Sequence, residues 1–203
     1  MRFKPPPSHD SSIGWRVEFR TMDIQLTDFE NTSLIVMLSM LVNIINHFNL
    51  DFIIPIKYAD VNMERAHKRN GVLNEKFWFN KNFVQSSDYT QSNLHKSDFL
   101  SSKQEAKDRV EPEYEEFYIH EILAGKKGTD FKGIVPIMQD FMKLQKYSDN
   151  NMKHITHFTD FLIARANGNV PTGAKFIRDF VNQAPSYKKN SNVTACTRNL
   201  LVK

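Results

Sequence analysis

The chain is poor in glycine and cysteine, and it lacks any long uninterrupted apolar or basic run. Seven glycines among 203 residues, against 16 phenylalanines, argue for helices packed through large side chains rather than a turn-rich β-sandwich. A single cysteine, Cys196, has no partner for an internal disulfide, so an intracellular, cytoplasmic protein is expected. Cys196 itself reads as an unpaired surface residue, with a bridge to a partner as the other reading. Met1–Pro7 has no apolar stretch of the kind a secretory leader needs. The longest apolar run, Leu34–Ile45, is interrupted by Ser39 and Asn43 and falls short of the ~20 residues that span a bilayer. It is expected to be a buried helix, with no membrane partner. The net charge is +4 and the pI about 9.1, but lysine and arginine are scattered, and no basic arm points to a nucleic-acid partner.

What is present reads mainly as helix. A capping box at Thr27 and Glu30 opens a helix over Asp28–Phe48 that is apolar nearly all round and expected to be deeply buried. Further helices are expected over Asp60–Arg69, Pro112–Ala124, Pro136–Gln145, Asn150–Ala166 and Gly173–Gln183. Phe52–Ile56, ended by Pro55, reads as an edge strand. Gln85–Arg109 is polar and aperiodic and reads as a loop or disordered insert. The aromatic run Phe77-Trp78-Phe79 reads as core packing, with a stacking platform as the alternative. The chain divides into a strand pair at 1–24, a helical segment at 25–84, the insert at 85–110, a helical region at 111–194 and a tail at 195–203.

Few residues suggest chemistry. His154 and His157 could present two imidazoles on one helix face, but no third ligand stands near them in sequence. Glu111, Glu113, Glu115 and Glu116 read as a solvated acidic face at a helix N-terminus. More informative is Ile13–Arg20, "IGWRVEFR". In extended chain Trp15, Val17 and Phe19 share one face and Arg16, Glu18 and Arg20 the other. Met1–Lys4 has the same alternation, so pairing the two segments would place Arg2 and Lys4 on the charged face. One carboxylate among arginines suits Mg²⁺ and phosphate held together. A solvated charge ladder would have the same pattern, and periodicity alone leaves both readings open.

The words of residues 1–31, "MRFKPPPSHDSSIGWRVEFRTMDIQLTDFEN", closely resemble the signature region of the eukaryotic glutamate–cysteine ligase catalytic-subunit family. Weaker similarity follows through "LDFIIPI", "NMERAHKRNGVL", "GIVPIM" and "FIRDFVNQAPSYK", whereas 85–110 and the tail from Ala195 do not look like the family. The resemblance implies an α+β chain: the C-terminal, mainly helical part of a glutamine-synthetase-like ligase, with a short antiparallel strand pair at its start. It implies ATP-dependent joining of the glutamate γ-carboxyl to cysteine, the first step of glutathione biosynthesis. Mg²⁺ is the implied cofactor, with ATP, glutamate and cysteine as substrates. It places Glu18 as a metal ligand and Arg20 against the ATP phosphates, with Arg2, Lys4 and Arg16 as unassigned helpers and no catalytic residue assigned. Trp15, Val17 and Phe19 would then face packed helices.

In the family the remaining metal carboxylates lie upstream of the segment that matches Met1. The chain is therefore expected to be a fragment, a truncated gene model or a short isoform, inactive alone. The alternative is a non-catalytic helical module that docks on the full-length ligase or its regulatory subunit.

Overall fold

A computed structural model describes residues 2–9, 12–18, 22–84 and 111–201. The described chain is α+β: two small antiparallel sheets and a helical body. Strands β1 (Arg2–Lys4) and β2 (Arg16–Glu18) form one sheet, and β3 (Lys76–Asn80) and β4 (Tyr114–Tyr118) the other. The insert 85–110 lies outside the described residues.

Helix α1 (Asp28–Phe48) begins where its capping box directs. The Glu30 N–H donates to Thr27 Oγ1 at 3.2 Å, and the Thr27 N–H donates to Glu30 Oε2 at 3.0 Å. Two orphan amides of the first turn are satisfied reciprocally. Length and composition alone would let α1 cross a membrane; in this fold only one stripe of it is buried. Ser33, Met40, Ile44 and Phe48 turn inward, and Ile35 and Val42 are exposed. The expectation of burial all round is corrected accordingly. One seven-residue step from 33 to 40, and two four-residue steps on to 48, place a single stripe inward.

That stripe meets α5 (Ile134–Leu144) and α6 (Asp149–Ala166). The shared core joins Met40, Ile44 and Phe48 to Phe83, Phe117, Phe131, Ile137 and Met138. The segment "GIVPIM" is thus core: Ile134, Val135, Ile137 and Met138 are all buried.

Three expectations about the middle of the chain are corrected. Phe52–Ile56 forms no strand. Phe52 stacks on Phe83 at 5.2 Å, the Asp51 N–H donates to the Phe83 carbonyl at 2.9 Å, and Pro55 caps helix α2 (Ile56–Ala66). Proline's fixed φ suits a helix entry, so α2 begins four residues before Asp60; the short helix α3 (Gly71–Asn74) follows it. Phe77-Trp78-Phe79 lies within strand β3, where Phe77 and Phe79 pack against the core as expected. The helix expected over Pro112–Ala124 is instead β4 followed by the short α4 (Ile119–Ala124).

The reason is pairing. Phe117 lies opposite Phe77 and stacks on Phe131 at 4.3 Å, while Trp78 and Phe79 lie opposite Glu116 and Glu115. Glu113, Glu115 and Glu116 are consequently pairing groups, and the segment is not a helix N-terminus. Glu113 meets Lys81 at 3.1 Å, Glu115 meets Lys126 at 2.6 Å and Glu116 meets Arg65 at 2.6 Å. The Lys126 hydrogen bond holds the Glu115 carboxyl below its ordinary range, and the same bond raises the Lys126 ammonium.

Side chains of α2 close the outer edge of β3. Asn62 accepts from the Trp78 N–H at 2.7 Å and donates to its carbonyl at 2.9 Å. Arg65 donates to the Lys76 carbonyl at 2.7 Å. Tyr58 stacks on Trp78 at 4.2 Å.

Between α4 and α5 the loop 125–133 is pinched shut by two glycines. Gly125 has φ 93° and ψ 159°, and Gly133 has φ 76° and ψ 170°. A Cβ on Gly133 would stand 2.2 Å from the Gly125 nitrogen. Helix α7 (Gly173–Gln183), capped by Thr172 as expected, and α8 (Ala195–Leu201) complete the described chain.

Candidate functional site

The strand pair at residues 2–18 carries the charged face. Its register sets Lys4 opposite Arg16, Phe3 opposite Val17 and Arg2 opposite Glu18. Two cations directly opposite each other repel. Glu18, diagonal to Lys4, offsets part of that charge, with Lys4 Nζ 2.6 Å from Glu18 Oε2. Arg16 turns along its own loop, where its Nη2 donates to the Pro5 carbonyl at 3.2 Å. Lys4, Arg16 and Glu18 therefore share one face, which carries more positive than negative charge. Arg20 lies outside the described residues.

The opposite face departs from expectation. Trp15 is 72% exposed and Phe3 66% exposed, so Trp15 does not face packed helices. Among the described residues no third strand or helix covers this two-stranded ribbon, and Phe3 and Trp15 stay in water. Phe19 lies outside the described residues.

Glu18 offers a hard cation one carboxylate. Mg²⁺ takes six oxygens and uses one or two protein carboxylates beside phosphate. No group of three or more His, Cys, Asp or Glu is placed to hold a metal ion among the described residues. The face therefore fits an anion unaided and fits a divalent cation only as one contributor to a larger donor set. His154 and His157 are exposed, and His157 lies against the Phe29 ring at 5.0 Å.

A model of the family described as glutamate-cysteine ligase matches residues 1–203. The chain belongs to the glutamate-cysteine ligase family. The glutamate–cysteine ligase of Neurospora crassa is 36% identical over 219 residues, covering 96% of this chain and 30% of that protein. The catalytic subunit from Mus musculus is 36% identical over 194 residues, covering 96% of the chain and 29% of the relative. The Dictyostelium discoideum ligase is 36% identical over 193 residues, at 95% and 28%. The chain thus spans about three tenths of the length of these relatives.

One part of this family chain near the site was missed from the sequence. The stretch "QLTDFEN", residues 25–31, ties the exit of the strand pair to the far end of α6. Asn31 accepts from the Gln25 N–H at 3.0 Å and donates to the Thr27 carbonyl at 2.8 Å. Arg165, in the last turn of α6, donates through Nη1 to Gln25 Oε1 at 2.8 Å and through Nη2 to Glu30 Oε1. Its guanidinium lies 4.6 Å above the Phe161 ring. The Arg165 and Glu30 side chains are only 11% and 14% exposed. Glu30 sits at the N-terminus of α1 and Arg165 at the C-terminus of α6, each where its helix dipole favours that sign. The Thr27–Glu30 box was legible as a cap, but nothing local pointed to Arg165.

Proposed function

We propose that this chain is the C-terminal, mainly helical part of an ATP-dependent glutamate–cysteine ligase of glutamine-synthetase-like fold. In that reading its strand pair lines the phosphate side of the active site. The observation that carries it is the Lys4–Arg16–Glu18 face: two cations and one carboxylate on a ribbon that by itself gains nothing from repelling charges. A nucleotide phosphate supplies the missing negative charge. Lys4 and Arg16 would neutralise phosphate oxygens, with the guanidinium able to fork onto two of them. Arg20 is assigned to the same role, and Arg2 pairs with Glu18 in register. Glu18 would give Mg²⁺ one oxygen ligand, with the others supplied by the rest of the ligase. The metal's contribution when bound is to neutralise charge on the transferred phosphoryl group.

Glutamate, cysteine and ATP are the substrates of this reading, γ-glutamylcysteine is its product, and the cytoplasm is its location. The strand pair would form the active-site segment 1–24, with 25–84 and 111–194 supporting it from outside.

The test is the Glu18→Gln variant of the ligase that carries this chain. It should keep its far-UV circular dichroism and lose about 10²-fold or more in Mg²⁺-dependent turnover, the scale seen when one preorganised charge contact is removed. Arg20→Lys should also lower turnover, since a point charge cannot replace a fork. The 203-residue chain purified alone should ligate glutamate to cysteine no better than its own Glu18→Gln variant. Near-normal turnover by Glu18→Gln in the ligase would overturn the assignment.

A second reading is favoured by the exposed apolar side of the ribbon at Phe3 and Trp15. In it the chain acts as a non-catalytic module that docks on the full-length ligase or its regulatory subunit. Co-elution of the purified chain with either protein, lost on Trp15→Ser, tests that reading.

A further inference from the structure

We infer that Arg165 is a positioning residue for the Glu18-bearing ribbon, acting through Gln25 and Glu30. The inference rests on the proposed role of Glu18. Seven positions separate Glu18 from Gln25, and no described helix covers the apolar side of the ribbon at Phe3 and Trp15. The aim of the ribbon therefore depends on how the segment after it is fixed. That segment is held through Gln25, Thr27, Glu30 and Asn31. The Gln25 backbone is held by the Asn31 amide, and its side chain by Arg165 Nη1. Thr27 and Glu30 lock each other, with Glu30 Oε2 taken by Thr27 and Glu30 Oε1 by Arg165 Nη2.

Both carboxylate oxygens of Glu30 are used in this way, which makes it an anchor rather than a ligand. Phe29 packs the same turn against Phe158 and Phe161, the latter beneath the guanidinium. One planar fork thus joins Glu30, in the first turn of α1, to Gln25, two positions before the helix cap. A lysine can reach one of these acceptors as a point charge but cannot span both.

The prediction separates aim from mere stability. In the ligase, Arg165→Lys should raise the Mg²⁺ concentration for half-maximal turnover about tenfold or more, the usual scale for losing a group that orients a metal ligand. Amide exchange should quicken in the ribbon and in 22–27, while Ile137–Met142 in the core of α5 keep their protection. Gln25→Leu should behave as Arg165→Lys does. Gln25→Glu, which restores an acceptor for Nη1, should return both readouts to the parent values.

Unchanged Mg²⁺ dependence in Arg165→Lys would overturn the inference, as would loss of protection spread evenly through α1, α5 and α6. The Glu18→Gln variant keeps the two questions apart. If it leaves Mg²⁺ dependence unaltered, the metal reading fails, while the exchange pattern alone still decides whether Arg165 fixes the ribbon.

Discussion

Replacing Gly133 with alanine should be among the most damaging single-methyl additions in this chain. At φ 76° and ψ 170° its backbone lies in a region occupied almost only by glycine, where a side chain costs about 1–3 kcal/mol. The added Cβ would also stand 2.2 Å from the Gly125 nitrogen and 2.8 Å from the Ala124 carbonyl carbon. Both are backbone atoms, so relief requires the α4–α5 connection to open. That movement pulls on Ile134 and Val135, which are buried. Together the two effects should cost about 3 kcal/mol or more, a melting decrease of about 6–12 °C for a protein of this size.

The control series is built into the chain. Gly128 has φ 79° but nothing within 4 Å of its would-be Cβ, so Gly128→Ala should cost only the conformational term, about 1–2 kcal/mol. Gly14 has open space and no positive φ, so Gly14→Ala should stay within about 0.5 kcal/mol of the parent. Thermal unfolding followed by far-UV circular dichroism ranks the three. A Gly133→Ala melting point within about 2 °C of Gly14→Ala would refute the claim that the two glycines pinch the loop.

The Lys126–Glu115 pair should produce a pH-dependent difference. The depressed Glu115 carboxyl contributes stability that is present above its unfolded value and lost as pH falls through its folded value. The raised Lys126 ammonium contributes stability that is present below its unfolded value and lost as pH rises through its folded value. The gap in urea midpoint between parent and Glu115→Gln should thus be widest near neutrality and close at both extremes; a gap that widens in acid would contradict it. Thr27→Ala removes the hydroxyl that accepts from the Glu30 N–H and should cost about 1 kcal/mol by urea titration. A loss below about 0.3 kcal/mol would mean that Glu30 and Arg165 hold the turn without the cap.

Local rules were readable wherever the neighbouring sequence carried the whole cause. Thr27 and Glu30 set the start of α1, Thr172 the start of α7, and two-residue alternation the pairing of residues 2–4 with 16–18. The readings that missed depended on partners distant in sequence. Tyr114–Tyr118 follows Pro112 and carries glutamates, which favours a helix start when read alone. Its cause is Phe77 across the ladder and Phe131 beneath. Pro55 was read as the stop of a strand because its role as a cap shows only once Phe52 is seen packed on Phe83. At the site, the charge pattern of Glu18 with Lys4 and Arg16 was legible. The exposure of Trp15 was not, because alternation tells which side chains share a face but not what covers it. Arg165 acts on Glu30 across 135 positions, a separation at which no periodicity carries information.

The Asn62 amide has a consequence for how the molecule behaves in a crowded solution. A strand reading Lys-Phe-Trp-Phe-Asn would, with its outward N–H and carbonyl groups open, be a template onto which another chain could add. Asn62 occupies both such groups of Trp78, and Arg65 occupies the carbonyl of Lys76. Two side chains three positions apart on α2 thus imitate the neighbouring strand that is not there. The sheet ends at an amide and a guanidinium, neither of which can propagate it. Keeping this aromatic segment from templating fibres therefore depends on α2 remaining docked, so the first local unfolding of α2 would also expose an edge able to polymerise.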